Sequence, residues 1–199
     1  MPEIVVATAN EGKLAEIKHA LADLSIKFLS LRDFPYIGEM AETGKTFEEN
    51  ALIKARTVAS LTSKPAIADD SGIMVDALGG KPGVFSARFS GENATDEQNN
   101  RKLLSLLKGL PSSERGATFV CVIAVVDGQR EKLLRGECRG FVLDEPRGKW
   151  GFGYDPLFYY PPLGKTFAEM LPDEKSAVSH RGRALKQLRE IIPLIFPTS

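Results

Sequence analysis

Residues 65–91 read PAIADDSGIMVDALGGKPGVFSARFSG, and the first half of that stretch decides the fold. The apolar run Ala66, Ile67, Ala68 delivers two adjacent carboxylates, Asp69 and Asp70, followed by a hydroxyl at Ser71 and a glycine at Gly72. A short apolar run closed by turn residues is the pattern of a fully buried strand. In open α/β sheets, ligands gather outside the carboxyl ends of such strands. Side chains alternate across a strand with period two, so in a strand that persists to Asp70 one acid faces a cleft and the other turns away. The segment by itself serves equally well as strand-to-turn acids held by nearby backbone N–H groups.

Working upstream, Thr46 and Glu49 match the S/T-x-x-E capping box and open a helix to about Ser60, with Phe47, Ala51, Ala55 and Val58 facing inward. Lys54 lies on this helix, where a lysine is commonly solvated surface. Glu42 stands in the polar loop Glu42-Thr43-Gly44, where an acid needs no special role. Ile4 to Thr8 reads as a first strand and Ile26 to Leu31 as a second. Between them Lys13 to Leu24 reads as a helix with Leu14, Ile17, Leu21 and Leu24 on one stripe. The link Ala9-Asn10-Glu11-Gly12 is a tight turn. Thr8, Asn10 and Lys13 then sit where a helix N-terminus offers free N–H groups and a positive dipole end to phosphate. An ordinary strand-turn-helix with Asn10 as cap accounts for the same residues.

Downstream, Thr95 and Gln98 form another capping box, before a helix with Leu103, Leu104 and Leu107 that Gly109 and Pro111 end. Thr118 to Val126 is a long β-rich run. Asp127-Gly128 is a hairpin signal, so Glu131 to Leu143 is expected to return beside it in a mixed sheet. A loop with Gly148, Gly151 and Gly153 leads into aromatic-rich Tyr154 to Tyr160, and Ser179 is expected to cap a last helix carrying Leu185, Leu188 and Ile192. Around that helix start Lys175, Ser176, Ser179, His180, Arg181 and Arg183 concentrate donors. Cations there oppose the helix dipole, which favours a ligand-related reason for them.

The chain has 199 residues, 43% of them hydrophobic, enough for one domain or two lobes sharing a sheet, with no independent second domain expected. Lys plus Arg and Asp plus Glu number 26 each, which leaves no basic balance for a nucleic-acid polymer or a membrane surface. With no long apolar segment, a cytoplasmic location is expected. Cys121 and Cys138 read as core thiols rather than a disulfide. His19 and His180 are too far apart for a local metal motif, so any metal is expected to be a hard, oxygen-liganded one such as Mg2+. Gly164-Lys165-Thr166 is not a P-loop, because that motif needs a glycine where Tyr159 stands. Its neighbourhood, Gly164 to Glu169, echoes Gly44 to Glu49, which reads as repeated capping chemistry rather than a true repeat.

Taken together, TANEGK (Thr8 to Lys13), ETG and FEENALIKA (Glu42 to Ala55), ADDSG (Ala68 to Gly72), GFGYDP (Gly151 to Pro156) and KSAVSHRGRAL (Lys175 to Leu185) closely resemble the inosine triphosphate pyrophosphatase family. The resemblance covers nearly the whole chain in order. It implies an α/β fold, a long mixed central β-sheet with flanking helices, in which two lobes surround an active-site cleft. One domain would span residues 1–199, usually as a homodimer. It also implies Mg2+-dependent hydrolysis of ITP, dITP and XTP to the monophosphate and pyrophosphate. Carried onto matching positions, Thr8, Ala9, Asn10, Glu11, Gly12 and Lys13 would hold the phosphates, with Lys54 close to them. Asp70 would be the proton acceptor, and Glu42 and Asp70 would serve the metal. Ser71, Phe152, Gly153, Tyr154, Asp155, Lys175, His180 and Arg181 would contact substrate. Asp69 is left as a structural partner held by backbone donors. Lys149-Trp150 departs from the small residues usual before GFGYD, which puts the loop shape in question.

Base choice follows from donor chemistry. Hypoxanthine and xanthine present an O6 acceptor where adenine presents an NH2 donor, so donors from Lys175 and His180-Arg181 would accept the former and oppose the latter. Rejecting guanine, which shares O6, needs a separate device at its 2-amino group. Two other functions fit the same residues: a nucleotide sensor without turnover, and a pyrophosphatase for a modified pyrimidine triphosphate.

Overall fold

The opening segment forms one ten-residue strand, β3 (Ala66–Val75), buried at every position except Ser71 and Met74. In the computed structural model, which describes residues 1–195 apart from Glu39 and Gln129, it joins β1 (Glu3–Val6), β2 (Lys27–Ser30), β4 (Gly116–Asp127), β5 (Arg130–Val142), β6 (Phe158–Tyr160) and β7 (Lys165–Thr166) in the order β2-β1-β3-β4-β5-β6-β7. β1 pairs in parallel with β2 and β3, whereas β5–β6 and β6–β7 are antiparallel, so the sheet is mixed as expected. β4 and β5 are neighbours, joined through Gly128 at φ 60°, as the hairpin signal requires.

Among the described residues five α-helices accompany the sheet: α1 (Glu11–Ala20), α2 (Phe47–Thr62), α3 (Asp96–Leu106), α4 (Pro172–Val178) and α5 (His180–Ile195). Asn10 caps α1 by accepting from the Lys13 N–H at 3.0 Å, so Glu11 and Gly12 belong to the first helical turn rather than to the preceding link. α1 also ends before Leu21 and Leu24, which still pack on the core. Thr46 caps α2 through the Glu49 N–H, while Glu49 turns back to the Lys45 N–H at 2.6 Å instead of to Thr46. The Thr95–Gln98 box of α3 is complete in both directions. Thr166 caps a single 3-10 turn, so its likeness to Thr46 is one of capping chemistry. Only Phe158 to Tyr160 of the aromatic run is strand, and α4 stands unexpectedly before Ser179. Ser179 has the extended backbone of a residue that precedes a helix.

The chain forms two compact units. The first comprises Met1–Asp70, Cys121–Gly136 and the residues from Arg181 onward, and the second comprises Ser71–Val120 and Glu137–His180. The first unit buries Ile4, Val6, Leu14, Ile17, Ile67, Ile123, Leu185 and Leu188 in one cluster that includes Cys121. The second buries Ile73, Leu103, Phe119, Leu157, Phe158 and Phe167 with Cys138. Both cysteines are buried thiols outside any disulfide, as their apolar setting predicts. Among the described residues no helix is long and apolar enough to cross a membrane.

Candidate active site

Asp69 and Asp70 are the fourth and fifth residues of β3, mid-strand rather than at the strand end that the turn residues after them suggest, and they go to different partners. Asp69, 2% exposed, places Oδ2 3.1 Å from Lys13 Nζ and accepts from Arg181 Nη2 at 3.1 Å. Arg181 is itself buried and also pairs with Glu16. Burial alone would raise the Asp69 carboxyl, but Lys13, Arg181 and Lys54 outweigh it and hold the group well below the usual carboxylate range. Asp69 is thus gripped by cationic side chains, where backbone donors were expected.

Asp70 belongs to a second network. Its Oδ1 lies 3.6 Å from Lys54 Nζ, which donates at 2.8 Å to Glu42, and its Oδ2 accepts from Asn50 Nδ2 at 3.1 Å. Burial pushes the Asp70 carboxyl above its ordinary value; Lys54 and Lys13 oppose that, and Glu42 adds to it. Burial also works against the Lys54 ammonium, yet Asp70, Asp69 and Glu42 together raise it. The ammonium is therefore secure while the Asp70 carboxylate is under-compensated. Lys13 thus pairs with Asp69, Arg181 with Asp69 and Glu16, and Lys54 with Glu42 and Asp70.

Beside these acids the chain leaves β1 through Thr8, whose Oγ1 accepts from the Asn10 N–H at 3.2 Å. Exposed Ala9, Asn10 and Glu11 follow, and Lys13 reaches from the first turn of α1 to Asp69. The arrangement presents a capped helix N-terminus and an ammonium together, the chemistry an anion needs. Glu11 itself pairs with Arg32.

The second unit holds the other expected residues. Asp155 Oδ2 accepts from Lys175 Nζ at 2.6 Å and from the Phe152 N–H at 2.9 Å. Lys175 Nζ stands 4.8 Å from the centroid of the Phe152 ring, a cation over a half-buried aromatic face. Gly151 has φ +77°, and a Cβ there would meet Asp155 Oδ2 at 2.1 Å, so only glycine permits this closure. Tyr154 is core: its hydroxyl donates to Ser86 O at 2.8 Å. Gly153 supplies a carbonyl to Asn100 and an N–H to Asp96. His180 is 4% exposed and stacks on Phe119 with ring centroids 4.5 Å apart. Ser71 is half-buried at the start of the unit. The donor group read from the sequence is therefore divided: Lys175 and His180 lie in the second unit and Arg181 in the first.

A family model described as the Ham1 family matches residues 4–191. The chain belongs to the Ham1 family. A relative from Geobacter sulfurreducens, named dITP/XTP pyrophosphatase, is 56% identical, covering 96% of each chain. The structure of a HAM1 protein from Coxiella burnetii superposes with a TM-score of 0.89 at 47% identity, covering 98% of this chain and 100% of that one. The Staphylococcus aureus Ham1 protein does so with a TM-score of 0.85 at 40% identity, covering 96% and 97%. The resemblance read from the five motifs and the mixed-sheet fold class both stand.

Within this Ham1 chain the Lys149-Trp150 departure leaves the loop closed, since both backbone N–H groups donate to Ala168 O at 3.0 Å and the Trp150 ring is 54% exposed. Sequence reading missed Asn50, which is fully buried against Asp70. Its signal was an amide one helical turn before Lys54 and next to the inward-facing Ala51.

Proposed function

We propose that this chain hydrolyses non-standard purine nucleoside triphosphates, dITP, XTP and ITP, to the nucleoside monophosphate and pyrophosphate. The observation that carries the reading is the placement of Asp70, Glu42 and Lys54 in one network beside the Lys13–Asp69 pair and the capped start of α1. The names of the relatives, dITP/XTP pyrophosphatases, support it.

The N–H groups at the start of α1 and the ammonium of Lys13 bind phosphate oxygens, and Lys54 adds a buried positive charge. Asp70 orients the attacking water and is its proton acceptor; because Mg2+ held beside it would lower its basicity, orienting the water is the larger part of the role. Glu42 and Asp70 would hold Mg2+. Their hard carboxylate oxygens fit such a cation. Mg2+ is commonly held by one or two carboxylates and completes its shell with water and substrate oxygens. When bound, Mg2+ would neutralise charge on the phosphates and on the departing pyrophosphate. Phe152 offers its ring to the purine, and Lys175, oriented by Asp155, offers donors to O6, where adenine would bring a competing NH2. A site built on such hydrogen bonds discriminates by about 10⁴ or more.

A homodimeric state, implied by the family resemblance, and a cytoplasmic location are part of the same proposal. The purified protein is expected to release pyrophosphate from dITP with Mg2+ and to stop on chelation. Binding of dITP without release would favour the nucleotide-sensor reading instead.

A further inference from the structure

Asn50 is 0% exposed in the second turn of α2, a costly place for an amide unless both of its ends are paired. Both are. Its Oδ1 accepts from the Gly44 N–H at 2.8 Å and its Nδ2 donates to Asp70 Oδ2 at 3.1 Å. The orientation is dictated by chemistry, because the Gly44 N–H can only donate and so the amide oxygen must face it. Lys54, four residues on and on the same helical face, makes the parallel link: Nζ donates to Glu42 at 2.8 Å and lies 3.6 Å from Asp70 Oδ1. Asn50 and Lys54 thus form two rungs between the strand that carries Asp70 and the loop that carries Glu42. Gly44 belongs to the lower rung. A Cβ there would stand 2.7 Å from Asn50 Oδ1 and 2.9 Å from the Asn50 backbone nitrogen, so any larger residue displaces the amide.

We propose that Asn50 is a positioning residue that sets the separation of Glu42 and Asp70, by holding the Gly44 loop with its oxygen and Asp70 with its nitrogen. The inference rests on the reading that these two carboxylates serve the metal. Lys54 fixes charge but leaves a flexible four-carbon stem between the carboxylates, whereas the short planar amide fixes distance. Loss of groups that orient metal-binding side chains commonly costs 10- to 100-fold in affinity or activity.

The test uses the full chain and Mn2+ as a spectroscopic stand-in for Mg2+, with bound ion read by electron paramagnetic resonance without nucleotide and turnover of dITP read separately. Asn50→Ala is expected to weaken Mn2+ binding about tenfold or more and to lower kcat by at least as much, with KM for dITP at saturating Mg2+ changing less than about threefold. Gly44→Ala, which disturbs the same link from its other end, is expected to shift both readouts in the same direction, and it decides the matter should Asn50→Ala fail to fold. Loss of Mn2+ binding in Glu42→Gln and Asp70→Asn, with wild-type binding and kcat in folded Asn50→Ala or Gly44→Ala, would overturn the role of Asn50 and leave the metal reading standing. Unchanged Mn2+ binding in Glu42→Gln and Asp70→Asn would overturn the metal reading, and the role of Asn50 with it.

Discussion

Asp69 and Asp70, consecutive on β3, answer to different lysines: Lys13 Nζ lies 3.1 Å from Asp69 Oδ2, and Lys54 Nζ lies 3.6 Å from Asp70 Oδ1. Strand alternation divides the two side chains, and the division sets opposite pKa directions on neighbouring acids. On the proposed function, Asp69 is the structural anchor and Asp70 the acid that serves the chemistry.

Asp70→Asn is expected to abolish pyrophosphate release and, in metal-free protein, to raise Tm at pH 7. The folded-state pKa of Asp70 lies above its unfolded value, so its ionisation weakens folding. The wild type is relatively most stable below an unfolded value of about 3.9 and loses that advantage as pH rises through the folded value. Thermal melts of both proteins between pH 3 and pH 8 check this: the variant's advantage should appear only on the neutral side.

Asp69→Asn is expected to destabilise by about 3 kcal/mol, roughly 6–12 °C in Tm, because it removes the buried carboxylate that Lys13 and Arg181 share. The folded pKa of Asp69 lies below its unfolded value, so its stabilising contribution is complete above about pH 3.9 and is lost as pH falls through the folded value. The variant's stability should therefore fall less steeply than the wild type's on acidification, as read by urea midpoints at stepped pH.

Phe152→Leu removes the ring beneath Lys175 Nζ. Base–aromatic stacking is worth about 1–3 kcal/mol, so KM for dITP should rise roughly tenfold with kcat little changed. Steady-state kinetics check it, and an unchanged KM would remove Phe152 from the purine contact.

Gly72→Ala tests the seat of the strand that carries the acids. A Cβ there would fall 2.4 Å from both Gly83 O and Ser86 Oγ, while Ser86 Oγ accepts from the Ile73 N–H at 3.0 Å. Overpacking of this kind costs about 1–3 kcal/mol, and a lowered Tm is the expected outcome.

The start of β3 and the capped helix α3 are legible because their signals are local, an apolar run and a reciprocal Thr95–Gln98 pair, but β3 runs on through Ser71 and Gly72 to Val75, where the sequence suggests a turn. The start of α1 was misplaced by two residues because Gly12 reads as turn chemistry, although Asn10 already caps the helix. α4 was overlooked although Pro172 at its first turn and acids at Asp173 and Glu174 announce it. At the site, the motif residues Lys54, Asp70 and Lys175 were named from sequence, but the partners of Arg181 were not, since Asp69 lies 112 residues away and Glu16 165. Asn50 escapes although its partners are near, Gly44 at 6 residues and Asp70 at 20, because an amide on a helix reads as surface until the strand and loop that enclose it are in place.

The central claim is that water attacks the α-phosphorus of a deaminated purine triphosphate, and single-turnover hydrolysis of dITP in oxygen-18 water with Mg2+ tests it most directly. Mass spectrometry of the products should find one labelled oxygen in dIMP and none in pyrophosphate. Label in pyrophosphate with none in dIMP, or release of inorganic phosphate with dIDP, would contradict it.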